Sequence, residues 1–331
     1  MPYFSEKRYM LSEYKISFEE ALLNQYAARE PKGLYEPIDY ILQDGGKRLR
    51  PILVLMGSQF YSGDYKRALS AAKAVEIFHN FTLLHDDIMD AAPLRRGRQT
   101  VHEKWDTNTA ILSGDAMLIL AYQQLEEYEA QLQVALFRLF SKTALEVCEG
   151  QQWDVEFELR SDVTIPEYLH MITYKTAVLV ACAFKMGALI GGATTEQAQL
   201  LYDFGLNLGI AFQIQDDYLD AFGNPETFGK QVGGDIIENK KTYLYLLTKQ
   251  SDNKTLVEEL EQWFSGQPQD PTEKIARVKH IFQETNAAAR TQEAIEKFTD
   301  DALQTIEQLG ISEDNQKVLR AFALKLMQRQ S

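Results

Sequence analysis

The amino-acid sequence predicts an all-α protein, one helical bundle formed by a single domain over residues 1–331. Two observations lead there. Apolar residues recur at three- and four-residue spacing through 11–28, 51–61, 65–90, 108–129, 131–158, 165–190, 195–222 and 241–249, whereas the alternation of a half-buried strand is almost absent. Several middle segments are also apolar over much of their circumference, as helices at the centre of a bundle must be.

Short polar or Gly/Pro-bearing stretches separate these segments. They are "GGKRLRP" at 45–51, "AAPLRRGRQT" at 91–100, "RSDVTIP" at 160–166 and the long "FGNPETFGKQVGGDIIENKKT" at 222–242. Within 165–190 the run "AVLVACAFKMGALIGG" is broken by Lys185 and falls short of the roughly 20 apolar residues that a bilayer needs, which predicts a buried helix and no transmembrane segment. Gly205 and Gly209 on 195–222 predict close approach of a neighbouring helix. Beyond about residue 250 the stretches "PTEKIARVKHIFQET" and "SEDNQKVLRAFALKLMQ" each carry one apolar stripe and read as outer helices of the same domain.

Charge and composition narrow the function classes. Forty-eight acidic against 34 basic residues give a net charge of −14, which argues against a protein that coats nucleic acid or anionic lipid. Cys148 and Cys182 sit in apolar helical patterns at no metal-ligand spacing and read as small buried hydrophobes in a reducing compartment. The N-terminal "MPYFSEKRYMLSEYKISFEE" lacks the features of a signal peptide, so a cytoplasmic protein is expected.

The segment "LLHDDIMDAAPLRRGRQT" concentrates the chemistry. Asp86, Asp87 and Asp90 end an apolar helix, and on that helix Asp86 and Asp90 lie about 40° apart, with His79 near the same line. The pattern returns in "FQIQDDYLD", where Asp216, Asp217 and Asp220 end another apolar helix whose face Gln213 shares. Carboxylates at the negative end of a helix dipole are unfavourable unless a cation is recruited. Mg²⁺ is the natural recruit, because it takes one or two carboxylates per ion and fills its shell with water and phosphate oxygens. One such cluster reads equally well as a solvated acidic helix end; two copies favour two sets that clamp a diphosphate through metal.

Basic residues supply the other half. Arg95, Arg96 and Arg98 follow the first cluster, and Lys47, Arg48 and Arg50 accompany two glycines in "GGKRLRP". These predict a second anion site without metal, made by Lys47, Arg50, Arg96 and His79, while Arg48 and Arg98 read as solvated surface side chains.

In order along the chain, "GGKRLRP", "LLHDDIMDAAPLRRG", "YKTAVLVACAF", "FQIQDDYLD" and "FGKQVGGDIIENKKT" resemble the motifs of trans-isoprenyl diphosphate synthases, the polyprenyl synthetase family. The resemblance covers nearly the whole chain and implies a bundle of antiparallel helices around a central substrate cavity. It implies that Asp86, Asp90 and Asp216 coordinate three Mg²⁺ ions on an allylic diphosphate, with Asp87, Asp217 and Asp220 in support. It implies further that Arg95, Lys175, Lys230 and Lys240, the last preferred over Lys241, contact that diphosphate. Lys47, Arg50, His79 and Arg96 then hold isopentenyl diphosphate, and Thr176 and Gln213 place oxygens near the developing carbocation.

The chemistry so implied is ionisation of an allylic C–O bond, attack by the isopentenyl double bond, and loss of a proton to the departing diphosphate. Leaving-group stabilisation is the main catalytic demand. Water must be kept out, and the 222–242 stretch is a candidate lid. No nucleophilic side chain is required, in keeping with the lack of a Ser/His/Asp or Cys/His arrangement.

Product length is expected to be set on the helix that ends in Asp86, where each turn of about 5.4 Å is comparable with one isoprene unit. Phe81 and Phe78 are the candidate floor, with the smaller Thr82 nearer the metal site. One aromatic at the Phe81/Thr82 pair and no insertion in the aspartate motif resemble synthases of geranylgeranyl diphosphate. Farnesyl diphosphate or a longer polyprenyl product is the alternative. A terpene cyclase is disfavoured because both metal motifs are aspartate-rich, and a non-catalytic regulatory subunit because both are intact. The resemblance also implies a homodimer, with which the apolar breadth of 108–158 is compatible.

Overall fold

The computed structural model describes residues 2–23, 25–224, 233–266 and 271–328. Helices carry almost all of it: α1 (Pro2–Leu22), α2 (Lys32–Leu42), α3 (Leu49–Ser62), α4 (Leu69–Met89), α5 (Val101–Lys104), α6 (Thr107–Gln123), α7 (Ala130–Leu159), α8 (Ile165–Ile172), α9 (Val178–Gly191) and α10 (Thr195–Phe222). After these come α11 (Gly234–Ile237), α12 (Tyr243–Lys249), α13 (Lys254–Ser265), α14 (Pro271–Glu284), α15 (Ala287–Thr305) and α16 (Glu313–Met327). The all-α expectation holds. Among the described residues the sheet is a two-residue hairpin, β1 (Leu94–Arg95) with β2 (Arg98–Gln99).

The chain divides into two compact units, Met1–Ser141 with Cys182–Gln199, and Lys142–Ala181 with Leu200–Ser331. In the first, α4 lies against α3 and α6. Its residues Ala71, Ala74, Val75, Ile77 and Phe78 have no exposed surface, because a helix apolar around its circumference gains most by being surrounded. The second half of α9 crosses α3 so tightly that a Cβ at Gly187 would stand 2.1 Å from the Val54 carbonyl oxygen. Helix α2 falls where the periodicity predicted none. Gly33 and Pro37 blur its signal, but burial of Pro37, Ile38, Ile41 and Leu42 outweighs the local cost of an interior proline.

In the second unit the core gathers Leu244, Leu246 and Leu247 of α12 with Leu260, Val278, Ile281, Phe282 and Ala287 of the polar, amphipathic tail. The tail helices thus each present one apolar face, as their spacing predicts. The close approach expected on α10 is made at Gly209, where a Cβ would lie 2.7 Å from Ala177 Cα.

Three expectations need correction. The helical run from Ile165 to Gly191 is 27 residues long, and long and apolar enough to cross a membrane, because it continues through Lys185; 78% of its most apolar stretch is buried within the protein. Cys182 is buried, but Cys148 is exposed on α7, on the same outer side as Leu145. Arg48 is 3% exposed and not a surface side chain; it adopts a left-handed conformation ahead of α3, with its guanidinium 2.7 Å from Glu76 and bonded to the Leu42 carbonyl. A buried arginine is tolerable here because carboxylate and carbonyl replace its water.

Candidate active site

In the second unit the straight run of α8 into α9 is interrupted by a π-helical turn, Thr173–Ala177. One extra residue per turn rotates Lys175 and Thr176 away from the register that α8 would give them, a device common at functional sites. Gly150 of α7 makes room for the turn, since a Cβ there would stand 2.2 Å from the Lys175 nitrogen. Lys175 then pairs with Asp154 of α7, and the Thr176 hydroxyl donates to Gln213 Oε1 at 3.0 Å.

The C-terminal end of α10 contributes Gln213, Asp216, Asp217 and Asp220 to the same pocket, whose cavity volume is about 200 Å³. Asp217 accepts from the Tyr168 hydroxyl at 2.6 Å and from Gln213 Nε2 at 2.9 Å. Burial nevertheless pushes its carboxyl up to about 6, with Asp216 and Asp154 adding to the rise against the pull of the two donors. Asp220 receives the backbone N–H of Asp235 at 3.0 Å, and its carbonyl accepts from Gly233 N–H at 2.6 Å, which ties the start of α11 to α10.

Asp235 is the most perturbed of these carboxyls: burial, and then Asp217 and Asp220, push it up to about 8. Burial works against the charge of Lys240, but Asp235 and Glu238 hold its ammonium well above the ordinary lysine range. Lys240 is 2.9 Å from Glu238, while Lys241 donates to the Glu158 carbonyl at 2.7 Å, and both lysines line the pocket. Lys230 lies outside the described residues.

Six carboxylates (Asp154, Glu158, Asp216, Asp217, Asp220, Asp235) and three ammonium groups (Lys175, Lys240, Lys241) line this pocket. Such a surplus of negative charge in a half-enclosed site fits a hard, oxygen-binding cation. Among the described residues no group of three or more acidic, histidine or cysteine side chains is arranged to enclose a metal by itself.

The first unit holds the other aspartates and the arginines. Asp90 caps α4, its N–H bonded to the Asp86 carbonyl at 2.9 Å. Asp86 is half-buried and Asp90 exposed, whereas Asp87 is 3% exposed and turned inward onto Arg95 Nε at 2.7 Å. Burial raises the Asp87 carboxyl and Arg95 opposes the rise. Arg95 and Arg98 pair across the small hairpin, whose turn residues Arg96 and Gly97 both have positive φ, 53° and 79°. That is the two-residue turn matched to strand twist, and Arg-Gly is its trace in the sequence.

The hairpin carries Arg96 to the "GG" turn. Its Nη1 donates to the Gly45 carbonyl at 3.1 Å, and a Cβ on Gly46 would stand 2.8 Å from that nitrogen. Arg50 Nη1 lies 3.1 Å from His79 Nε2. Burial, then Arg50, Arg96, Arg95 and Arg48, hold His79 well below its ordinary range, so the imidazole is neutral and accepts from Arg50. Lys47 is exposed on the same turn. The arrangement is a cationic cradle bordered by acids: Asp44 binds Arg98 at 3.0 Å and lies 3.9 Å from Arg96, and Glu76 holds Arg48.

Residues 31–284 match the model of the polyprenyl synthetase family. The chain belongs to that family. It is 37% identical over 307 residues to the geranylgeranyl diphosphate synthase of Saccharolobus solfataricus, covering 90% of this chain and 91% of that one. It is 40% identical over 254 residues to the geranylfarnesyl diphosphate synthase of Natronomonas pharaonis, covering 71% and 74%. A crystal structure of a geranylgeranyl pyrophosphate synthase matches with a TM-score of 0.93 at 54% identity, over 97% of this chain and 99% of that one. This polyprenyl synthetase is a trans-isoprenyl diphosphate synthase of the short-chain type, and hence a trans-prenyltransferase.

Sequence reasoning missed several members of the synthetase's pocket, Asp154, Glu158, Tyr168 and Asp235 among them. Tyr168 and Asp154 sit outside every charged cluster and reach the pocket through helix packing alone. Asp235 stands in "GGDIIE", where a lone acid after two glycines was the available signal. The π-helical turn under Lys175 has no sequence trace of that kind.

Proposed function

We propose that this synthase condenses isopentenyl diphosphate head-to-tail with allylic diphosphates and that its main product is geranylgeranyl diphosphate. What carries the proposal is the meeting of Lys175, Thr176, Gln213, Asp216, Asp217, Asp220 and Lys240 in one pocket, although they are spread over three segments of the chain. Asp86, Asp90 and Asp216 would hold Mg²⁺, with Asp87, Asp217 and Asp220 in support. When bound, Mg²⁺ supplies charge neutralisation for the allylic diphosphate.

The chain's own groups do the rest. Lys175 and Lys240, with Arg95 and Lys230, bind the allylic diphosphate and stabilise its departure with the C–O electron pair. Tyr168 and Gln213 Nε2 fix Asp217 from both sides, so the Gln213 amide oxygen is held at Thr176, where two oxygens can stabilise positive charge on the allyl carbon. Arg50, Arg96, Lys47 and neutral His79 cradle isopentenyl diphosphate, whose double bond forms the new C–C bond and whose proton is lost to the released diphosphate.

Chain length follows from Phe81, 8% exposed on α4, with Phe78 fully buried one turn below and Thr82 above. A longer product is the second reading, favoured by the geranylfarnesyl diphosphate synthase among the relatives. We assign the active form as a cytoplasmic homodimer; Leu112 and Ile119, about 60% exposed and seven residues apart on one face of α6, are the supporting observation.

The test is incubation of purified protein with Mg²⁺, isopentenyl diphosphate and each allylic primer, followed by dephosphorylation and measurement of product length. A twenty-carbon product, abolished by Asp86→Ala and lengthened by Phe81→Ala, is expected. Folded protein that condenses no primer overturns the proposal.

A further inference from the structure

His85 precedes Asp86 and has no part in the chemistry above. Its ring stands edge-on to Phe81, with centroids 4.7 Å apart and planes at 64°. Nε2 reaches toward the Ile111 carbonyl of α6 at 3.5 Å. The same nitrogen fills the space that Gly114 leaves open, for a Cβ on Gly114 would stand 2.3 Å from Nε2 and 2.6 Å from Cδ2.

Phe81 is therefore flanked by a ring on either side along its own helix. Below it lies Phe78 at 5.6 Å, which is wedged edge-on against Phe140 at 5.4 Å. Above it lies His85, four residues on and on the same helical face. Phe78 cannot yield, being fully buried against Phe140. The remaining freedom of the Phe81 ring is set by how deeply His85 sits in the notch at Gly114.

We propose that His85 and Gly114 are positioning residues for Phe81, so that product length is governed from α6 as well as from α4. The proposal rests on the assignment of Phe81 as the floor of the product channel. Filling the notch drives the imidazole onto Phe81 and the ring across the path of the growing chain. Emptying the His85 position gives Phe81 space to retreat, and the chain grows further. The two changes thus act in opposite directions, which a general loss of packing does not produce.

The experiment is product-length analysis with farnesyl diphosphate and with geranyl diphosphate as primers, for wild type, Gly114→Ala, His85→Ala, His85→Gln, Phe81→Ala and the double variant His85→Ala/Phe81→Ala, with thermal denaturation of each. Gly114→Ala is expected to move the product ratio about fivefold toward fifteen carbons, and His85→Ala about fivefold toward twenty-five, the scale of one aromatic edge contact. His85→Gln falls between wild type and His85→Ala. In the Phe81→Ala background the His85 effect vanishes.

Lengthening by Phe81→Ala with unchanged ratios in both His85 variants overturns the proposal alone, and so does a His85 effect that persists without Phe81. Failure of Phe81→Ala to lengthen the product overturns the floor assignment itself. Should Gly114→Ala not fold, the two His85 variants and the double variant decide the matter by the same criteria.

Discussion

The Tyr168 hydroxyl on α8 donates to Asp217 Oδ2 on α10 across 2.6 Å, and this one contact sets the orientation of a third residue. With Oδ2 taken, Oδ1 of Asp217 accepts from Gln213 Nε2 at 2.9 Å, so the amide is turned with its oxygen toward Thr176. Tyr168→Phe removes one of the two donors to a buried carboxylate. The expected cost is about 1–3 kcal/mol of stability, the desolvation penalty of a group left short of a partner. The Gln213 amide then loses its fixed orientation, and kcat is expected to fall roughly tenfold with KM for both substrates nearly unchanged, a loss confined to the transition state. Steady-state kinetics and a thermal melt on the same preparation check both parts.

Gly150→Ala tests the π-helical turn without touching a charged group. Its Cβ would meet the Lys175 nitrogen at 2.2 Å and the Lys175 Cα at 2.7 Å, both backbone atoms that cannot swing aside. The turn must shift, and Lys175 and Thr176 shift with it. Overpacking of this kind costs about 1–3 kcal/mol. Condensation is expected to drop more than a hundredfold in protein that still folds, since small misplacements of catalytic groups carry penalties of that order. Single-turnover rates at saturating substrate measure it.

Most of the fold and the outline of both charge clusters were legible because their signals are local. The apolar periodicity of α4 and α10 marks central helices, and paired aspartates at the end of each are visible as text. What was not legible depends on tertiary placement. Helix α2 was hidden by Pro37 and exists because Ile38, Ile41 and Leu42 are buried. Arg48 looked like one more surface arginine, and only the fold supplies Glu76 beneath it. The inward turn of Asp87 onto Arg95 separates it from Asp86 and Asp90, a distinction that neighbours in one DDxxD string do not show.

Asp235 gives the pocket a pH dependence of definite sign. Its carboxyl sits at about 8 in the folded chain against an ordinary 3.8, so between those values the folded state holds a proton that the unfolded state has released. The contribution to stability is full below about pH 4 and is lost as pH rises through 8. Asp217, raised to about 6, adds a loss of the same sign at lower pH. In chelator, the melting temperature of wild type is therefore expected to decline from pH 6 to 8.5, and Asp235→Asn to decline less. Mg²⁺ held here as proposed would favour the ionised form, so its stabilising shift is expected to be larger at pH 8 than at pH 6. Melts with chelator and with Mg²⁺ at both pH values test the set.

His79 carries the opposite sign and lies in the other unit. Its imidazole is held well below the ordinary 6.5 by burial and by Arg50, Arg96, Arg95 and Arg48, so on acidification the unfolded chain takes up a proton that the folded chain refuses. Stability from this group is present above about pH 6.5 and is lost as pH falls toward the depressed folded value. His79→Gln keeps an acceptor for Arg50 in its amide oxygen and cannot titrate. At pH 7.5 the variant is expected to melt within a few degrees of wild type, while its melting temperature falls less steeply between pH 6.5 and 5. If the imidazole also orients Arg50 toward isopentenyl diphosphate, KM for that substrate rises about three- to tenfold, with KM for the allylic primer unchanged, because the arginine keeps its charge but its direction is set less firmly. A wild-type acid slope that survives in His79→Gln would assign that slope to other groups, and an equal rise in both KM values would take His79 out of the isopentenyl site.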